Sequence, residues 1–258
     1  MLRSLPIVFL LVTLTAAAPS SDKGAGSEPR KAVAVLYFDN HTGKSDYDAL
    51  GKGMASMMIS DLSSVPEIQL VERERMQDLV KEMDAQRTQY FDSTTAVKVG
   101  RMTGAEYVVV GAFVALQPRM RIDTRVVRVA TGEIVKAAQV TGDEDKFFEL
   151  EQKLATNLID GLGIALSPEA RTRLAARQEE NRIDALSTMA AFSQALDLYD
   201  RSDFTGAAQR MAPVVQDSPR SVLVRVAYDQ IRKRAAASAA DKAKDRIKAG
   251  LGGMFRRP

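Results

Sequence analysis

The chain has 258 residues, of which 45% are hydrophobic and 27% charged, an ordinary globular composition with room for one large domain or two small ones. It has no cysteine, one histidine and no tryptophan, which excludes disulfides, thiolate metal sites, thiol catalysis and an acylated N-terminal cysteine and leaves few ordinary catalytic groups. The formal charge is +3 but unevenly spread: Arg232 to Pro258 holds nine Lys/Arg against two Asp, a net +7, so the remainder is about −4 by subtraction.

Arg3, the apolar run Leu5 to Leu14 and the small residues Thr15 to Ala18 form a secretory signal pattern, too short for a comfortable membrane span. Residues 1–18 are therefore expected to be a signal peptide and 19–31, rich in Gly, Ser and charge, a flexible linker. Ala32 to Phe38 is an almost unbroken apolar run of strand length, which predicts a strand covered on both faces. Leu50, Met54, Met57, Met58, Leu62 and Val65 then recur every three or four residues, so Asp46 to Val65 reads as an amphipathic helix whose methionines fill a core. Pro66 stops that helix, and Ile68 to Val71 is a second short strand. A helix between two strands predicts a parallel, right-handed crossover.

Met76, Leu79, Val80 and Met83 mark another helix, and a further one runs from Ser93, expected as its N-cap, to Met102. Glu106 to Leu116 is the strongest strand signal. Two hairpin-like units follow, through Met120 to Val129 and Ile134 to Thr141, with Thr131-Gly132 supplying turn chemistry. Asp143, Glu144 and Asp145 stand where a helix start favours negative charge, ahead of an apolar face of Phe147, Leu150, Leu154, Leu158 and Leu162. The expected fold class is α/β: a domain over 32–166 with a mixed sheet of about five strands packed by helices.

A small all-helical part should follow. Ser167-Pro168-Glu169 opens a polar helical connector over 167–182. Within 183–234, Ala195, Leu198, Ala207, Met211, Val214 and Pro219 lie at the offsets of one tetratricopeptide repeat, with Ser202-Asp203-Phe204 at the turn. A single such unit buries little by itself, so Ser221 to Arg234 is expected to cap it unless a partner does; a plain helical hairpin is the alternative. Residues 235–258 are expected to form a basic, disordered tail, because Gly250, Gly252 and Gly253 interrupt its Ala-rich helical stretch.

Catalytic signals fail one by one. Gly43-Lys44-Ser45 is half of a phosphate loop, but the required first glycine falls at Phe38, inside a strand, so the backbone cannot curl into an anion cradle. Gly51-Lys52-Gly53 is too closely spaced for a dinucleotide loop. Asp39, Asn40 and Gly43 read instead as a turn in which Asn or Asp bonds its own backbone, and His41 as a solvated loop residue lacking a nucleophile elbow. Metal binding would rest on carboxylates alone, and Asp143 to Asp145 do not follow a calcium-loop pattern. Glu72 to Arg75 reads as an ion-paired strand end. No catalytic, cofactor or metal residue is expected.

The blocks VAVLYFDN, DALGKGMASMMISDLSSVPEIQLVERERM, TAVKVGRMTGAEYVVVGAF, MRIDTRVVRVATGEIV and FFELEQKLATNLIDGLGI, spread in order over 32–166, together resemble the CsgG/HfaB family and its relatives FlgO and the TolB amino-terminal domain. The resemblance implies a mixed-sheet fold and a non-enzymatic bacterial envelope protein, acting in curli export, holdfast anchoring, flagellar outer-membrane assembly or related complexes. Two departures count against the curli-type pore: no cysteine to acylate, and a connection between Leu116 and Met120 too short for a membrane-inserting hairpin.

The expectation is an exported, non-catalytic adaptor or assembly factor, periplasmic or outer-membrane-associated, with an oligomeric export-channel component as the alternative. Its partners would be envelope proteins, with cell-wall polymer or anionic lipid as other candidates for the tail and homo-oligomerisation left open. Neither nucleic acid nor a small-molecule substrate is expected. The candidate partner-binding residues are Arg232, Lys233, Arg234, Lys242, Lys244, Arg246 and Lys248.

Overall fold

Six consecutive residues of the first strand, Val33 to Phe38, are buried, so β1 (Lys31–Asn40) has no solvent face. In this computed structural model, which describes residues 30–72, 76, 78–79, 91–116 and 118–254, β1 lies at the interior of a five-stranded sheet ordered β2-β1-β3-β4-β5. The expected signal peptide, nearly all of the linker, Arg73 to Arg75, Val80 and Met83 lie outside the described residues. β1 runs parallel to β2 (Ile68–Leu70) and to β3 (Tyr107–Leu116); β4 (Arg119–Arg128) and β5 (Ile134–Asp143) continue the sheet antiparallel. The parallel crossover is made by helix α1 (Leu50–Leu62), as its period of three and four predicts.

Alternation along β1 splits the core between two faces. Val33, Val35 and Tyr37 point to the side covered by α1 and α3 (Phe147–Gly161), where Met54, Met57, Met58, Leu150, Leu154 and Leu158 fill the space. Ala34 and Leu36 point to the other side, against Ala96 and Val99 of α2 (Ser93–Thr103). The N-cap of α2 is Asp92, one residue earlier than expected: its Oδ2 accepts from the Thr95 amide at 3.1 Å, while Ser93 already lies in the helix. Leu116 and Arg119 pair directly, so β3 and β4 are joined by a tight turn.

Ser167 caps α4 (Pro168–Asn181) by accepting from the Ala170 amide, with Pro168 at the first helical position, where its missing N–H costs nothing. α5 (Leu186–Asp200) and α6 (Phe204–Asp217) form a helical hairpin. Its close approach rests on the fully buried Ala195 and Ala207, and Met211 and Val214 fill the gap. Asp203 caps α6 at the turn, accepting from the Gly206 amide at 2.9 Å. The core under α1 and α3 continues without a break into this hairpin through Leu174, Ile183, Met189 and Phe192.

The last helix, α7 (Val222–Met254), replaces the disordered tail expected from 235 onward. Its first turns are seated by Val224 and Ile231, both buried. That packed segment supplies the helix nucleus, and Ala235 to Ala240, dominated by the best helix former, propagates it outward. Gly250, Gly252 and Gly253 lower helix propensity without ending the helix before Met254. Among the described residues no helix is long and apolar enough to cross a membrane.

Candidate functional site

The loop after β1 is organised by Asn40. Its Oδ1 accepts from the amide and hydroxyl of Thr42 at 2.9 and 2.7 Å, and its Nδ2 donates to Lys44 O and Asp48 Oδ1 at 2.8 and 2.7 Å. The Lys44 amide donates to Thr42 Oγ1 at 3.1 Å, and the His41 amide to Phe113 O at 2.9 Å. Three of the candidates for an anion cradle are thus committed: the amides of 41, 42 and 44 face the protein, and a phosphate would have to displace side chains already bonded to two of them. Gly43 takes a left-handed φ of 71°, the conformation an Asn-anchored turn demands there. The expected turn is present, although Asp39 accepts from the Phe91 amide instead, at 2.8 Å.

Gly51-Lys52-Gly53 proves to be a helix-docking element. Gly51 lies directly beneath the Phe38 backbone, and a Cβ at Gly53 would overlap Ser193 Oγ and press on Met189 of α5. The two missing side chains let α1 lie against β1 on one side and α5 on the other. Lys52 stands between them under the Tyr37 ring, 5.4 Å from its centre, and bonds Asp197 Oδ1 at 2.8 Å and Asp200 Oδ2 at 3.2 Å. Largely withdrawn from solvent, this ion pair loses hydration that offsets much of its attraction, so its clearer effect is to fix α5 against α1.

A second polar contact crosses the same junction. Asp61 of α1, Glu151 of α3 and Asn181 at the end of α4 are 0%, 2% and 1% exposed. Asn181 Nδ2 donates to Asp61 Oδ1 at 2.6 Å and to Ser60 Oγ at 2.8 Å. Burial pushes the Asp61 carboxyl up from 3.8 to about 6, against hydrogen bonds that favour its ionised form. Burial, then the neighbouring Asp61, drives Glu151 well above the carboxylate range. Sequence reasoning passed over all of these residues. The available signal was an acidic residue at an inward position of each apolar helix, Asp61 beside Leu62 and Glu151 beside Leu150.

The sequence-selected basic residues lie on α7, beyond its seat. Arg232, Lys233, Arg234, Lys242 and Lys244 are exposed; the side chains of Arg246 and Lys248 lie outside the described set. Arg232 leans over the Tyr228 ring and Lys244 pairs with Asp241 at 3.4 Å, contacts weak enough at full exposure to leave both charges available. At about 100° per residue the seven positions are distributed around the helix instead of lying along one stripe. The structure therefore makes a cationic rod. From Arg232 to Met254 it extends about 34 Å at 1.5 Å per residue.

On the opposite flank, β5 is an edge strand, and a groove of about 630 Å³ between it and α3 is lined by Gln139, Thr141, Gln152, Lys153 and Thr156 among others. An edge strand beside a helix can accept an extended chain. Among the described residues no three His, Asp or Glu side chains are grouped to hold a metal ion. The arrangement offers surfaces for macromolecular contact.

The resemblance read from the sequence is matched over about two fifths of the chain: the family described as "Curli production assembly/transport component CsgG" matches residues 20–121. No curated protein matches. Among solved structures, the LpoB C-terminal domain from Salmonella enterica is 16% identical, covering 46% of this chain and 87% of that one with a TM-score of 0.38. A PelC dodecamer from Paraburkholderia phytofirmans is 15% identical, covering 54% and 90% with a TM-score of 0.35. Lipoprotein GNA1162 from Neisseria meningitidis is 12% identical, covering 53% and 99% with a TM-score of 0.37.

Proposed function

We propose that this protein is an exported, non-catalytic adaptor of the bacterial envelope, in which a CsgG-like α/β domain carries a helical unit that presents a basic helix to other envelope proteins in surface-structure assembly or export. One observation carries the reading: α7 leaves its seat after Ile231, and over the described side chains from Arg232 to Lys244 none is buried, with five Lys/Arg against one Asp. A helix that buries nothing over these turns gains little stability from them, and charge on every side suits contact with an acidic surface in any rotational setting. The CsgG match over 20–121 supports the envelope setting, and the signal pattern at 1–18 supports export. The α5–α6 hairpin is read as a tetratricopeptide-like unit closed by the first turns of α7, leaving the helical grooves and the rod as contact surfaces.

The experiment is affinity capture of crosslinked neighbours from intact envelopes, comparing the full chain with one ending after Ile231. Loss of the main neighbours on truncation is the expected result; an unchanged set removes the basic helix from the reading. A second reading, an oligomeric export-channel component, draws on the family's description as an assembly and transport component. Fractionation separates the two, because recovery only with detergent would favour the channel.

A further inference from the structure

Four helices meet through one chain of polar groups. Glu151 of α3 faces Asp61 of α1, carboxyl to carboxyl. Asp61 accepts from Asn181 at the end of α4. The Asn181 carbonyl in turn accepts from Ser221 Oγ at 3.1 Å, and Ser221 is the residue whose hydroxyl caps the start of α7 through the Val224 amide at 3.4 Å. The chain runs from the sheet-packing helix to the base of the basic rod.

One link lacks a hydrogen. Asp61 Oδ2 and both Glu151 carboxyl oxygens are buried, and among the described residues no N–H or O–H group donates to them. Two ionised carboxylates at this site would repel one another with little solvent to screen them. Of the charged groups, Arg177 of α4 bears on Asp61, but it bonds Glu180 and remains partly in solvent; Gln178 also bears on Asp61, and its buried Nε2 has no acceptor at hydrogen-bond distance. No such donor bears on Glu151, whose buried carboxyl requires a proton that the pair can supply itself.

We propose that Asp61 and Glu151 share a single proton, an O–H of one carboxyl bonded to the other, and that this proton latches the α4–α7 helical unit onto α1 and α3. Removing it leaves two facing anions, which push α3 from α1 and loosen Asn181 and the base of α7. The direction with pH follows from the raised values. A carboxyl that holds its proton more tightly folded than unfolded contributes fully below its unfolded range, near 3.8 for Asp61 and 4.5 for Glu151, and that contribution is lost as pH rises through the folded values, about 6 for Asp61 and well above 4.5 for Glu151. The shift of Asp61 alone corresponds to roughly a hundredfold in the unfolding equilibrium. Because the pair titrates together, the loss spreads over the whole interval.

The test compares the full chain with the double variant Asp61→Asn, Glu151→Gln, which keeps the shape and cannot titrate. The melting temperature of the unaltered chain should fall from about pH 5 to about pH 8, with hydrogen exchange quickening in α4–α7 before the sheet; the variant's profile should be flat over that interval. Equal slopes in both proteins would overturn the proposal, as would loosening that begins in the sheet. Should the variant not fold, infrared spectroscopy of the unaltered chain decides: a protonated carboxyl band shielded from deuterium exchange at neutral pH and lost in alkali is expected, and its absence refutes the shared proton. A melting temperature lowered by EDTA would assign the orphaned oxygens to a cation and refute it equally.

Discussion

Helix α7 is two regions with one backbone. From Val222 to Ile231 its course is dictated by burial, with Val224 and Ile231 closed into the same core as Met211 and Leu174. Beyond Ile231 no described residue of the helix is buried, and the helix rests on alanine propensity, exposed charge and the nucleus handed to it by the seated turns. The first region is specified by tertiary contact and the second by local preference alone. Substitutions should therefore be costly in one and nearly silent in the other, unless what is measured is binding.

Three variants set that contrast, and the packing beneath it, at risk. The largest effect belongs to Ile231→Ala, expected to destabilise the chain by about 3 kcal/mol through lost burial and the cavity left behind, read as a lower urea midpoint. A result near zero would mean that the seat is not part of the core. Next comes Gly53→Ala, whose new methyl must displace Ser193 or move α5 away from α1; about 2 kcal/mol is expected from overpacking, with Lys52 drawn away from Asp200. At the small end, Lys242→Gln with Lys244→Gln should alter stability by no more than about 0.5 kcal/mol. The same pair should weaken the salt-dependent retention of the chain on an anionic matrix, and unchanged retention would separate the rod from electrostatic contact.

Legibility from sequence tracks the same division. The strands and α1 to α6 could be placed because their apolar periods are long and their punctuation is strong: Pro66 after α1, Ser167-Pro168 before α4, Thr131-Gly132 between β4 and β5. The Asn40 turn was readable because an Asx turn is a local hydrogen bond. Meetings between distant residues were not. Asp61 and Glu151 each look like an ordinary acidic residue on a helix, and their encounter depends on α1 and α3 sharing one face of the sheet. Gly51-Lys52-Gly53 invited comparison with nucleotide loops, whereas its meaning is how closely α5 can lie against α1, a tertiary fact. The outer half of α7 was misread because glycines were weighed as breakers when a packed nucleus upstream had already met the initiation cost.

The outer part of α7 also behaves as a ruler. A coil of the same length would hold its far end at a distance that fluctuates with temperature and salt, whereas a helix sets it at about 1.5 Å per residue. Removing two turns would bring whatever sits at the tip nearer by about 11 Å, and because cations encircle the shaft, the accompanying rotation would matter less than the shortening. Spacing, more than pairwise chemistry, is then the quantity this segment hands to its surroundings.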